Sequence, residues 1–174
     1  MSIRWGILST GNIARLFAVS FRQTEGGVLQ GVASRSEENA RSFAETYGVK
    51  RAYPDYRHLI EADDIDVVYI GTPHTHHFHD AANCLQNGKH VLCEKPVTMN
   101  AEQLEVLINL ANETGCFSWR RYGAVFFRFI SILTGGWNRR WIAEWNTSGR
   151  ISVFIKSLIP NPAFLNRNLA GVLF

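Results

Sequence analysis

The sequence predicts an α/β fold with a doubly wound parallel sheet over residues 1–116. Short apolar runs alternate with segments of helical periodicity, and Gly, Ser or Pro residues separate them. The most distinctive polar residues follow the apolar runs, where the carboxyl ends of parallel strands would meet. Strands and helices that alternate at this spacing predict parallel pairing, with helices on both faces of the sheet.

Four apolar runs predict the strands. The run over residues 65–70 is almost all β-branched or aromatic, as expected for a strand that is covered on both faces. The other runs span residues 3–8, 28–33 and 89–93.

Capping residues and glycines mark the predicted helices. Ser36 fits the N-cap of a helix that ends at Gly48. Asn100 and Gln103 form a start that resembles a capping box, and an apolar stripe then continues to Gly115. Further helices are predicted over residues 12–21, after Tyr53-Pro54-Asp55, and over residues 76–87 before Gly88.

The composition is that of an ordinary globular protein. The 174 residues are 46% hydrophobic and 19% charged, and no apolar run of about eighteen residues predicts a membrane span. We expect no secretory signal, because the chain enters a strand at once. Cys84, Cys93 and Cys116 lack metal-type spacing, so we expect reduced thiols and a cytoplasmic location.

The composition changes abruptly near residue 116. Residues 1–116 carry 10 Lys and Arg against 14 Asp and Glu, whereas residues 117–174 carry 8 Lys and Arg against Glu144 alone. Four of the five tryptophans also lie in residues 117–174. A basic, aromatic segment could bind nucleic acid, but this is the weakest reading. We expect neither a nucleic-acid partner nor a membrane partner.

The first strand ends in Ser9-Thr10-Gly11-Asn12-Ile13-Ala14, a degenerate form of G-x-G-x-x-G/A. Ser9 replaces the first glycine, Gly11 lets the backbone approach phosphates, and Ala14 permits close packing of the helix on the sheet. Small residues are also common in strand–helix turns, so this motif alone leaves a purely structural role open.

The second strand ends in Ala33-Ser34-Arg35-Ser36, where NAD sites usually place a carboxylate for the ribose 2′-hydroxyl. This stretch contains no carboxylate that would repel a phosphate, and Arg35 could pair with one. NADP is therefore favoured over NAD. The alternative is that Arg35 is a solvated surface residue.

Four of the six histidines lie in residues 74–79, after the third predicted strand. Some pairs are one helical turn apart, but no nearby carboxylate or thiol completes a set of metal ligands. We therefore expect no metal. A helix N-terminus at a nucleotide cleft fits better, with Pro73 shaping the turn and His77 facing inward.

Glu94-Lys95-Pro96 ends the fourth predicted strand. The proline holds Lys95 in a non-helical turn at the rim of the cleft. The ammonium group could hydrogen-bond a substrate hydroxyl and assist proton transfer during hydride exchange. A surface lysine beside an incidental glutamate is the alternative.

These motifs together resemble the Gfo/Idh/MocA oxidoreductases, and within them the branch of dihydrodiol dehydrogenases and NADP-dependent D-xylose dehydrogenases. The resemblance covers residues 1–116. It implies a Rossmann domain, NADP(H), and hydride transfer at a hydroxyl-bearing carbon of a sugar or trans-dihydrodiol. It also implies that Lys95 is catalytic and that Glu94 helps to hold the cofactor. Family members are often homo-oligomers. The cofactor-binding residues expected on these grounds are Ser9, Thr10, Gly11, Asn12, Ile13, Ser34, Arg35, Ser36, Thr72, Pro73, His74, His77, Glu94 and Lys95.

Residues 117–174 are predicted to be an aberrant segment where the family has its second, substrate-binding domain. Back-translation of residues 118–128 in a displaced frame permits Met-Glu-Ala-Leu-Trp-x-Arg-Phe-Phe-Pro, which resembles the family at this point. Residues 163–174 permit a second such match in the same frame. We therefore hypothesise an out-of-frame remnant of that domain. The alternative function is a non-catalytic NADP-binding module or an inactive truncated product.

Overall fold

Six of the described strands form one parallel sheet in the computed structural model, which describes residues 2–22, 26–116, 118–120, 141–145 and 151–155. The strands are β1 (Ile3–Leu8), β2 (Gly27–Ala33), β3 (Arg51–Tyr53), β4 (Val67–Ile70), β5 (His90–Cys93) and β6 (Ser118–Arg120). Their order across the sheet is β3-β2-β1-β4-β5-β6. This is the Rossmann order, and it confirms the predicted fold class.

The helices begin and end close to their predicted signals. They are α1 (Asn12–Phe21), α2 (Glu37–Tyr47), α3 (Tyr56–Glu61), α4 (His77–Gln86) and α5 (Ala101–Thr114). Ser36 accepts a hydrogen bond from the backbone N of Asn39, and Gly48 ends α2 with a φ of 67°. At the start of α5, Asn100 caps Gln103, whose side chain accepts a hydrogen bond from the Met99 N–H. A 3₁₀ turn over His74–His76 precedes α4.

The core lies on both faces of the sheet, because alternate residues of each strand point to opposite sides. Trp5, Phe17 and Tyr69 belong to the cluster that packs against α1 and α2. The second cluster contains Val68 and Leu85 and packs against α3, α4 and α5. Two layers of helices therefore cover the strands and leave their carboxyl ends as an accessible edge.

Two short strands fall outside the sequence prediction. β3 has three residues, which is too few to show a period, and it pairs with β2 from Gly31 to Ala33. β6 pairs with β5 from Val91 to Cys93. The boundary predicted after residue 116 therefore lies before the last described strand of the sheet, and β5 is not an edge.

The chain forms two compact units, Met1–Gly135 and Gly136–Phe174. In the second unit, β7 (Trp141–Trp145) pairs antiparallel with β8 (Ile151–Ile155). Most of the predicted aberrant segment lies outside the described residues. In the described part of the chain, no helix is long and apolar enough to span a bilayer.

Candidate functional site

The turn between β1 and α1 lies at the point where the strand order reverses, which is the usual ligand crevice of such sheets. Ser9 has a φ of 99°, a value that favours glycine, although it replaces the first glycine of the motif. Its Oγ accepts a hydrogen bond from the Gly11 N–H at 3.1 Å. Ser9 therefore adopts a backbone conformation that favours glycine, and this conformation is strained for a serine.

The N-terminus of α1 presents its backbone amides without a side-chain cap from the described residues. Side chains of Ser36, Asp55 and Asn100 cap α2, α3 and α5 in turn. The first amides of a helix need acceptors and attract negative charge. An anionic group at Gly11 would supply those acceptors.

The residues that follow β2 have two kinds of environment: Ser34 and Ser36 form hydrogen bonds within the fold, and Arg35 is exposed. The Ser34 hydroxyl is buried and accepts a hydrogen bond from Thr10 Oγ1 at 3.3 Å, which ties the first two strand ends together. Ser36 caps α2. Arg35 is exposed and forms no hydrogen bond or ion pair with another described residue. Burial raises the pKa of Tyr56, and the charge of Arg35 partly opposes that rise, so Arg35 lies near Tyr56.

The end of β4 is held by a short network. The Thr72 hydroxyl donates to Asp80 Oδ2 at 2.6 Å. Burial raises the pKa of Asp80, although the Thr72 hydrogen bond opposes this rise. Gly71 is closely approached, because a Cβ there would lie 3.1 Å from Tyr69 Cε1 and 3.2 Å from Ile13 Cγ2, and one of these side chains would have to shift. Pro73 and His74 follow on the surface.

His77 joins the ends of β4 and β5. Its side chain is 1% exposed, with Nδ1 at 2.7 Å from the Pro96 carbonyl oxygen and Nε2 at 2.8 Å from the Thr72 carbonyl oxygen. A neutral imidazole can donate to one of these acceptors, and the doubly protonated ring can donate to both. The inward orientation agrees with the prediction, but both ring nitrogens contact backbone carbonyls.

Glu94 and Lys95 differ sharply in environment. The Glu94 carboxylate is buried, and Oε1 accepts a hydrogen bond from the Tyr69 hydroxyl at 2.7 Å. The Tyr69 ring stacks on Phe17 with 3.8 Å between centroids. Lys95 is exposed, and its ammonium forms no hydrogen bond or ion pair with another described residue. The Lys95–Pro96 peptide bond is cis.

Residues 3–122 match the model of the Gfo/Idh/MocA family, described as an oxidoreductase family with an NAD-binding Rossmann fold. The chain belongs to the Gfo/Idh/MocA oxidoreductase family. This confirms the resemblance seen in the motifs, and the Rossmann domain of this family is an NAD-binding one.

Among the relatives of this Gfo/Idh/MocA chain are trans-1,2-dihydrobenzene-1,2-diol dehydrogenases. The Xenopus laevis enzyme is 40% identical over 140 residues, which are 77% of this chain and 42% of that enzyme. The Danio rerio enzyme is 38% identical over 132 residues, 75% of this chain and 39% of that enzyme. The chain therefore spans about two fifths of the length of these relatives.

Solved structures that share the fold include a biliverdin reductase and a 3-ketoreductase. Biliverdin reductase from Synechocystis sp. PCC 6803, in complex with biliverdin and NADP+, has a TM-score of 0.63 and 34% identity over 68% of this chain and 37% of its own. KijD10, a 3-ketoreductase from Actinomadura kijaniata in complex with NADP and TDP-benzene, has a TM-score of 0.67 and 31% identity over 70% and 37% of the two chains.

The Gfo/Idh/MocA motifs are brought to one edge of the sheet, as the sequence predicted. Two residues of that edge were not predicted. Tyr69 was hidden in a strand whose apolar pattern indicates core, and Asp80 lies inside a helix without any motif. Among the described residues, no three His, Cys, Asp or Glu side chains could hold a metal ion.

Proposed function

We propose that this chain is the nucleotide-binding half of an NADP-dependent oxidoreductase that acts at a hydroxyl-bearing carbon. The observation that carries the proposal is the uncapped N-terminus of α1 beside Ser34 and the exposed Arg35. The amides would bind the pyrophosphate, and Arg35 would pair with the ribose 2′-phosphate. NADP bound to two structures of the same fold supports the preference.

Lys95 is the residue we assign to proton transfer. When bound, the nicotinamide would give or take a hydride. The exposed ammonium of Lys95, without a described partner, would hydrogen-bond the substrate oxygen and carry the proton that accompanies the hydride. Glu94, fixed by Tyr69, would hold the cofactor side of the same turn. Of the remaining predicted residues, Asn12 and Ile13 would offer backbone amides, and Thr72, Pro73, His74 and His77 would line the cleft.

The substrate class is proposed to be a sugar or a trans-dihydrodiol. The named activity of the 33–40% identical dehydrogenases supports a diol, and the sugar is proposed from the resemblance alone. We place the protein in the cytoplasm, where the free Cys84, Cys93 and Cys116 would stay reduced. A homo-oligomer is proposed from the resemblance alone.

Cofactor titration tests the nucleotide proposal. NADPH and NADH fluorescence should both respond to the protein, with the lower Kd for NADPH, and Arg35→Gln should bring the two Kd values together. Arg57→Gln is a matched control, because it removes an equal charge from an exposed residue that pairs with Glu61. Failure of both dinucleotides to bind would overturn the proposal.

Turnover separates an enzyme from a non-catalytic module. Sugars and trans-dihydrodiols are assayed with NADP, and Lys95→Ala should abolish any turnover while Lys50→Ala, at another exposed lysine, should not. Turnover that survives Lys95→Ala would refute the role of Lys95. NADP binding without turnover on any of these substrates favours the module.

The division of the chain is also a proposal. We assign residues 1–116 to the NADP-binding domain and residues 117–174 to an out-of-frame remnant of the family's substrate domain. The family match ends at residue 122, close to this boundary. Sequencing the DNA that encodes residues 117–174 tests the assignment, and codons that cannot yield the displaced peptides would refute it.

A further inference from the structure

A groove runs between α1 and α2 and opens beside the dinucleotide turn. Its volume is about 360 Å³, and its lining includes Thr10 in the turn after β1, Arg15 in the first turn of α1, and Asn39 and Ser42 on α2. No Asp or Glu is among the described residues that line it. The groove is therefore polar, positively charged and continuous with a strand end.

Arg15 is the only cation among the described residues that line this groove. It is exposed, and its guanidinium makes no hydrogen bond or ion pair with another described residue. Arg22, the residue after α1, already donates a hydrogen bond to the Thr46 carbonyl oxygen. Arg15 therefore keeps its five donors for a ligand or for water.

The groove begins where the 2′ substituent of a bound dinucleotide is expected. Thr10 lines the groove and donates a hydrogen bond to Ser34, the first residue after β2. In folds of this kind the ribose hydroxyls lie at the end of the second strand. A phosphate on the 2′ oxygen would thus lie within reach of the groove opening.

The two arginines without a described partner lie near helices on different faces of the sheet. Arg35 lies near Tyr56 of α3, which packs on one face of the sheet. Arg15 belongs to α1, whose buried residues pack on the other face. A planar guanidinium can donate two hydrogen bonds to one phosphate, so a free Arg15 at the groove suits a phosphate ligand.

We propose that this groove is the 2′-phosphate subsite and that Arg15 is a specificity-determining residue for NADP. The inference rests on the proposed dinucleotide function, which by itself requires only Arg35. Asn39 would donate a further hydrogen bond from its side-chain amide. An NAD molecule would bind without using the groove.

Calorimetric titration of the full chain with NADP+, NAD+ and 2′,5′-ADP tests the subsite. Arg15→Gln should weaken NADP+ and 2′,5′-ADP about tenfold and leave NAD+ within about twofold, since one hydrogen-bonded ion pair at an exposed site is lost. Arg41→Gln, which removes the same charge from α2 but pairs with Glu37 outside the groove, should change none of the three Kd values.

Asn39→Asp supplies an independent variant. A carboxylate in the first turn of α2 is favourable for the helix, so folding is retained, yet it should repel the 2′-phosphate and weaken NADP+ selectively. NADP+ binding that neither variant changes, or equal weakening of NADP+ and NAD+, would overturn the subsite while the proposed function stands. Absence of any dinucleotide binding by the unaltered chain would overturn both.

Discussion

Replacing His77 by Phe should destabilise the fold through the two carbonyl groups that the imidazole holds. The substitution keeps an aromatic ring at a position that is 1% exposed, so the loss of packing is small. It removes the ring nitrogens that lie 2.7 Å from the Pro96 carbonyl oxygen and 2.8 Å from the Thr72 carbonyl oxygen, and with them whichever of these contacts is a hydrogen bond. Thr72 is buried, and leaving its carbonyl unpaired costs about 1–3 kcal/mol. Pro96 is exposed, so water can replace that contact.

Urea denaturation of the His77→Phe variant measures this cost. The free energy of unfolding should fall by about 1–3 kcal/mol with an unchanged m value. His77→Gln keeps an amide donor and should recover part of the loss. The Kd for NADPH should rise less in His77→Gln than in His77→Phe, because the Lys95–Pro96 turn remains tied to β4. If the unfolding free energy of His77→Phe lies within about 0.5 kcal/mol of that of the unaltered chain, the stabilising role of the His77 contacts is refuted.

Three further outcomes follow from the same edge of the sheet. Tyr69→Phe should lower the unfolding free energy by about 1.5–3 kcal/mol in urea denaturation, because the hydroxyl donates to the buried Glu94 carboxylate. Ser9→Gly should be more stable than Ser9→Ala by about 1 kcal/mol in the same assay, since both lack the hydroxyl and only alanine keeps a strained φ of 99°. Burial raises the pKa of Asp80, so its ionisation opposes folding as pH rises through and above the usual carboxyl range. Asp80→Asn should therefore gain stability relative to the unaltered chain at neutral pH and not at strongly acid pH, as measured by thermal unfolding at both.

The sequence predicted the sheet because its strong strands are long enough to display a pattern. Residues 3–8 and 28–33 were placed within one residue of β1 and β2. β3 has three residues, so its pairing with β2 depends on tertiary context that no local pattern encodes. The predicted run 65–70 begins two residues before β4. Ile65 is buried in the core and Asp66 pairs with Arg4, but both precede the residues that β4 contributes to the sheet.

The sequence predicts which residues share the site, together with the Ser36 N-cap and roles for Arg35 and Lys95, but not the hydrogen bonds that join the strand ends. Parallel topology alone requires that the residues after β1, β2, β4 and β5 share an edge. It does not say whether the Ser36 hydroxyl caps a helix or faces a ligand, since both uses favour serine. Nor can it reveal that Tyr69 reaches Glu94, because a buried tyrosine and a buried phenylalanine give the same pattern.

The structure separates groups that the fold already uses from groups that a ligand can still use. Thr72, His77 and Glu94 have their polar atoms bound to other parts of the chain, so they fix the strand ends relative to one another. Arg35, Lys95 and the first amides of α1 have no hydrogen-bond partner among the described side chains. A charged group without a partner gains most from a ligand of opposite charge, whereas a satisfied one must first lose a bond. We therefore infer that the second set makes the direct contacts to a dinucleotide and that the first set holds those contacts in register. Substitutions of Thr72, His77 or Glu94 should change both the unfolding free energy and the Kd for the dinucleotide. Substitutions of Arg35 or Lys95 should change only that Kd.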